Sequence, residues 1–165
     1  MDDAHFEQWY IALHPRLITA LTVITGDSSL AAEVVDEAFV RAYERWDRVG
    51  EMASPDGWTF RTALNVLRRR QRRLQLEQQL HLRRAAGLDG SAAPPEWSVE
   101  LWDALRRLPP RERTAIVLRH VADLPVEEIA RAMRIAGGTV GSTLHSARRH
   151  LAAALADELE EVTDA

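Results

Sequence analysis

The chain has 165 residues, a net charge of −4 and no cysteine. It can form no disulfide or thiolate metal site, and no apolar run reaches the roughly 20 residues that span a bilayer. The acidic start MDDAHFEQWY lacks the basic and apolar segments of a secretion signal, so the expectation is a soluble cytoplasmic protein of one domain or two small ones.

Charge is segregated along the chain. Residues 1–53 carry four arginines against ten acids, a net of −6, whereas residues 61–84 carry eight arginines against Glu77 alone, a net of +7. Separation this sharp suggests one partner for each face. Lysine is absent, which reflects coding composition more than any binding requirement.

Phe6, Trp9, Tyr10, Leu13, Leu17, Leu21 and Ile24 recur at helical spacing, with Pro15 predicting a kink or interruption. Residues 25–29 (TGDSS) read as a stop, a turn and a new cap. The next helix is predicted from Leu30 to about Arg48. Val34, Val35, Ala38, Phe39, Ala42 and Trp46 form its apolar stripe, and Glu33, Asp36, Glu37, Arg41, Glu44 and Arg45 its polar face.

A loop over 49–53 leads to the stretch SPDGWTFRTALNVLRRRQRR at 54–73. Ser54 can cap a helix and Pro55 suits its first turn. Trp58, Phe60, Ala63, Leu64, Val66 and Leu67 supply apolar surface before Arg68, Arg69, Arg70, Arg72 and Arg73 take over. Cations for phosphates, with aromatic rings just upstream, suit single-stranded nucleic acid. A basic helix end favoured by the dipole alone is the plainer alternative.

Small residues, two glycines and Pro94-Pro95 mark 85–97 as a linker. Beyond it, Ser98 caps a helix carrying Leu101, Leu105 and Leu108, and Pro109-Pro110 starts another that ends near Val121. A helix through Met133, a break over 134–137 and a helix from Gly138 to about Leu155 suit a helix-turn-helix, with Ile129, Met133, Ile135, Val140, Leu144 and Leu151 toward one core and Ala130 as the small inward residue. A plain helical hairpin stays open as the alternative. No strand-period segment is present, so the fold class is all-α.

Taken in order, these segments resemble the bacterial RNA polymerase sigma factors of the extracytoplasmic-function class, the small two-domain members of the sigma-70 family. HPRL at 14–17 and TGD at 25–27 are similar to the first region-two helix and its turn. AEVVDEAFVRAYERWDRV at 32–49 is similar to the polymerase-docking helix, and GWTFRTALNVLRRRQRR at 57–73 to the promoter-melting segment. LPPRERTAIVLRHVADLPVEEIARAM at 108–133 and GGTVGSTLHSARRHL at 137–151 are similar to region four.

The resemblance implies a region-two domain over 1–84, a flexible linker over 85–97 and a region-four domain over 98–165. It implies docking on core RNA polymerase through Asp36, Glu37 and Arg41, with Glu33 and Arg45 at the edge. It implies reading of the single-stranded minus-ten element by Asn65, where the family has the asparagine of its base-capture loop. Arg61, Arg68, Arg69, Arg70 and Arg72 would track phosphates. Trp58 and Phe60 could stack on bases, although an aromatic at helical spacing is more often core. Thr139, Ser142, His145, Arg148 and Arg149 remain to contact the minus-thirty-five duplex. Here the chain departs from the pattern, because Gly141, Thr143 and Ser146 stand where the family has basic residues and Gly138 where it often has Glu. An anti-sigma partner is common in the family.

The resemblance implies no catalysis and no cofactor. No nucleotide-binding glycine loop is present, and His145 and His150 lie five apart, off the spacing of a helical zinc pair. Two rival readings stay open. One is a dimeric helix-turn-helix regulator that acts without polymerase; the other is a sigma-like protein that has lost promoter recognition and titrates its partners.

Overall fold

The computed structural model describes residues 3–80 and 97–163. The described residues form eight helices and no strand: α1 (Asp3–Thr25), α2 (Ser28–Tyr43), α3 (Trp46–Val49), α4 (Pro55–Leu80), α5 (Val99–Arg107), α6 (Pro110–His120), α7 (Val126–Met133) and α8 (Gly137–Thr163). Of the predicted linker, 85–96 lie outside the described residues.

Helix α1 packs on α2, and α2 on α4. Leu13, Leu17 and Leu21 meet Val34, Val35 and Ala38 and the α4 residues Phe60, Ala63, Leu64, Val66 and Leu67 in one buried core. Local signals frame these helices. Gly26 takes φ +72 after α1, where a side chain would be strained. Within the predicted turn and cap over 25–29, Asp27 caps α2, its Oδ1 accepting from the Leu30 N–H at 2.9 Å. The Ser54 Oγ accepts from Gly57 N–H at 3.0 Å and opens α4.

Two expectations are corrected. Helix α1 runs through Pro15 without interruption. The carbonyl that loses its donor belongs to Ile11, whose side chain is 63% exposed, so water can replace the lost bond. Helix α2 stops at Tyr43, short of the expected Arg48, and α3 begins after a turn at Glu44 and Arg45. The turn brings Trp46 into an aromatic cluster, its ring 4.6 Å from Trp9 and 5.0 Å from Phe6. Burial of the indole, worth about 1.5–3 kcal/mol for a large apolar side chain, outweighs the local helical preference of residues 44–45.

In the second half, α6 and α7 both pack on α8, as does α5. Val140, Leu144 and Ala147 of α8 are buried with Ile129 and Ala132 of α7. Helix α8 starts at Gly137 and outlasts the predicted end near Leu155. Ala130 is only half-buried; Ala132 is the fully buried small residue of α7.

The two halves also touch. Helix α4 packs on α7, and α1 on α6. Asp56, in the first turn of α4, accepts from Trp9 Nε1 at 2.8 Å and from Arg16 Nη1 at 3.1 Å. The second amino group of Arg16 donates to the Ala122 carbonyl, beyond the end of α6.

Candidate functional site

Trp58, Arg61, Asn65, Arg68 and Arg72 recur every three or four residues and share one stripe along α4. Asn65 lies in the middle of this regular helix, not in the base-capture loop that the resemblance implied. Its Oδ1 accepts from Arg68 Nη1 at 3.0 Å and from Arg134 Nη2 at 2.8 Å. Burial, with Arg134 and Arg72 close by, holds the Arg68 guanidinium below its usual range. Trp58 is half-buried and lines a shallow pocket with Arg61, Glu128 and Arg131, whereas Phe60 is fully buried. Of the two rings, only Trp58 offers a face.

Arg70 does not join this stripe. It turns to α2, where one amino group binds Glu33 and the other donates to Glu37 Oε2 at 3.2 Å. Glu37 also accepts from Arg41 at 2.5 Å. Glu33, Glu37, Arg41 and Arg70 are therefore one charge network joining α2 to α4. Arg69 and Arg73 line a groove beside it. Arg45 precedes α3 without a side-chain capping bond and reaches back to the Arg41 carbonyl at 3.4 Å.

Asp36 points elsewhere. It lines a groove between α1 and α2 with Phe6, Tyr10, Val40, Tyr43 and Glu44. Val40 and Tyr43 are 57% and 44% exposed. Sequence reasoning missed both, although they fall three apart on α2 and off its buried stripe, which was the available signal. The result is an apolar groove with an acidic rim, more specific than a solvated polar face.

Thr139, Ser142, His145, Arg148 and Arg149 are all exposed on the first four turns of α8. Ser142 donates its hydroxyl to the Thr139 carbonyl at 3.0 Å, leaving the oxygen free to accept. His150 faces Glu112 at 2.6 Å. A side chain at Gly141 would meet nothing within 4 Å, so packing does not require this glycine. If this face meets duplex DNA, Gly141→Arg should tighten that binding and steepen its salt dependence by about 0.9 for each phosphate that the new cation neutralises. It should also recover about 1 kcal/mol of helix propensity. A salt series of duplex titrations checks this; an unchanged slope would mean that this face does not meet DNA.

The turn between α7 and α8 is held by Arg134, whose φ of 60° and ψ of 45° lie in the left-handed region. Glycine is the usual occupant of such a helix end, and a side chain there costs roughly 1 kcal/mol.

A family model described as Sigma-70 region 2 matches residues 9–77, and one described as Sigma-70, region 4 matches residues 98–151. The chain is 31% identical to an RNA polymerase sigma-E factor of Streptomyces avermitilis, over 94% of its own length and 85% of that protein's. It is 30% identical to the ECF RNA polymerase sigma factor SigL of Mycobacterium tuberculosis, covering 78% of this chain and 76% of the relative. Two solved structures share the fold. The sigma factor RpoE of Bartonella quintana, crystallised with the anti-sigma factor NepR, gives a TM-score of 0.68 at 22% identity, covering 91% of this chain and 96% of that one. CnrH, in complex with the cytosolic domain of CnrY, gives 0.61 at 21%, covering 92% and 88%.

Proposed function

We propose a division of labour for this chain, which belongs to the sigma-70 family of RNA polymerase sigma factors and, within it, to the extracytoplasmic-function class. It binds core RNA polymerase and directs it to promoters, taking part in initiation without catalysing a reaction itself. What carries this reading is that both units of the family occur in order in one chain, the first with an exposed apolar groove between α1 and α2 and the second with an exposed face on α8. Residues 1–84 form the region-two unit, 98–165 the region-four unit, and 85–97 join them. The protein works in the cytoplasm, where polymerase is.

The α1–α2 groove with Asp36 on its rim is the docking face for polymerase. Val40 and Tyr43 supply its apolar contact, and the Glu33–Glu37–Arg41–Arg70 network fixes α2 against α4 beside it. The α4 stripe meets the single-stranded minus-ten element. Arg61, Arg68 and Arg72 neutralise phosphates, with Arg69 beside them. Asn65 reads a base edge, since an amide can both donate and accept. The exposed face of α8 meets the minus-thirty-five duplex. It is poor in cations there, so specificity leans on the minus-ten element. An anti-sigma protein, as NepR is to the Bartonella quintana sigma factor, is a proposed further partner.

Run-off transcription from a genomic fragment library, with purified core enzyme, tests the reading. Core-dependent transcripts and one-to-one co-elution with the enzyme are expected. Co-elution without transcripts would favour a titrating protein, and DNA binding without co-elution a free-standing regulator. In the same assay Asn65→Ala should keep core binding but lose preference at one minus-ten position, by about 1–3 kcal/mol. Permanganate footprinting with each base swapped in turn reads that loss; unchanged preference would make Asn65 a scaffold residue.

A further inference from the structure

We propose that the chain closes on itself, with helix α7 laid over the minus-ten face of α4 and Arg134 as the latch. The proposal rests on the sigma-factor reading and deepens it.

The seam follows the α4 stripe from Gly57 to Arg68, leaving Arg72 exposed. At the start of α4, Glu128 approaches so closely that a Cβ on Gly57 would lie 2.6 Å from its Oε2. One turn on, Trp58 and Arg61 share a pocket with Glu128 and Arg131. Further along, Arg68 Nη2 donates to the Ala132 carbonyl at 2.7 Å, and Arg134 donates to Asn65 Oδ1 at 2.8 Å. Trp58, Arg61, Asn65 and Arg68 are thus turned toward protein where the promoter strand would lie. Arg68 spends a donor on a backbone carbonyl in place of a phosphate. The oxygen of Asn65 holds two guanidiniums in place of a base.

Arg134 is the odd feature that this explains. A non-glycine residue at φ 60° is strained, and the guanidinium reaches across to the other half. The closure is also built to open. Its cross-bonds from α1 and α4 end on Ala122 and Ala132, carbonyls at the ends of α6 and α7 that water can satisfy. A cavity of about 380 Å³, lined by Leu64, Leu67, Arg68, Arg113, Met133 and Ile135 among others, lies along the seam, whereas an obligatory core would be close-packed. The α8 face stays exposed throughout. The closed chain can therefore meet duplex DNA but not the single strand.

Arg134→Gly tests the latch in the full chain. Glycine suits the left-handed turn, so the fold should hold, which thermal melting by circular dichroism verifies. Removing a cation should by itself weaken DNA binding; release of a shielded face predicts the opposite sign. The probe is a fluorescein-labelled random-sequence single-stranded DNA 12-mer. Binding should tighten by about tenfold if the open fraction rises tenfold. Arg16→Met, which breaks the Ala122 contact together with the ion pair to Asp56 at the start of α4, should act in the same direction. The chain has no cysteine, so dyes at Ile11→Cys and Ala153→Cys report opening, and both variants should lengthen the distance between them. An unchanged distance, or a longer one without tighter 12-mer binding, overturns the proposal. Wild-type run-off transcription is measured alongside. Transcripts with an unmoved latch sink only this inference, whereas no transcript and no co-elution sink the sigma-factor reading beneath it.

Discussion

Phe60→Ala should destabilise the protein by about 3–5 kcal/mol. Phe60 is the largest of the fully buried side chains described, at 0% exposure. It belongs to the core shared by Leu13, Leu17 and Leu21 of α1 and Val34, Val35 and Ala38 of α2. Truncation loses the transfer energy of the ring and leaves a cavity that three helices would have to shift to fill. Whole domains are stable by only about 5–15 kcal/mol, so about a fifth or more of the margin goes. For a chain of this size the midpoint of thermal unfolding should fall by about 6–20 °C. Urea titration followed by helical ellipticity measures the loss directly. A change below about 1 kcal/mol would mean that α4 is not seated through this ring. The reading stripe would then lack a rigid base, because Arg61, Asn65 and Arg68 keep their spacing only while α4 is held on its buried face.

Phe60 also marks how far the sequence could be read. The stripes of α2 and α4 were legible because each buried residue recurs at helical spacing: Val34, Val35, Ala38 and Phe39 in one helix, Phe60, Ala63, Leu64 and Leu67 in the other. Ser54 was legible as a cap because capping is local chemistry. The end of α2 was not, since no glycine or proline marks residues 44–45; a distant aromatic cluster draws Trp46 in. The role of Arg70 was hidden for a similar reason. Its neighbours Arg69, Arg72 and Arg73 are exposed, but its angular position on α4 turns it to Glu33 and Glu37 of another helix. The meeting of α7 with α4 was the least legible feature. It rests on bonds between residues 64 and 69 positions apart, Arg68 to Ala132 and Asn65 to Arg134, and no periodicity records them.

Asp36→Arg combined with Val40→Arg should abolish one-to-one co-elution with core polymerase and leave the helix content unchanged. Both residues are exposed on one edge of α2, one turn apart, and line the groove formed with Phe6, Tyr10 and Tyr43. Neither belongs to the buried core, so the cost to stability should stay near the ±0.5 kcal/mol usual for surface changes. The effect on docking has two sources. Arg at position 36 reverses the charge of the acidic rim, and a reversed rim charge slows encounter with a complementary partner. Arg at position 40 places a cation where an apolar contact is expected, and loss of a central contact typically costs about 2 kcal/mol or more. Together they should weaken binding by about a hundredfold or more, enough to empty the complex at micromolar concentration. Glu37→Gln is the comparator. Glu37 is committed to Arg41 and Arg70, so its neutralisation should loosen α2 on α4 and disturb docking less. If Glu37→Gln instead proves the more damaging change, polymerase meets the charged seam between α2 and α4 and the groove is merely exposed. If the double variant still co-elutes, neither edge of α2 is the docking face.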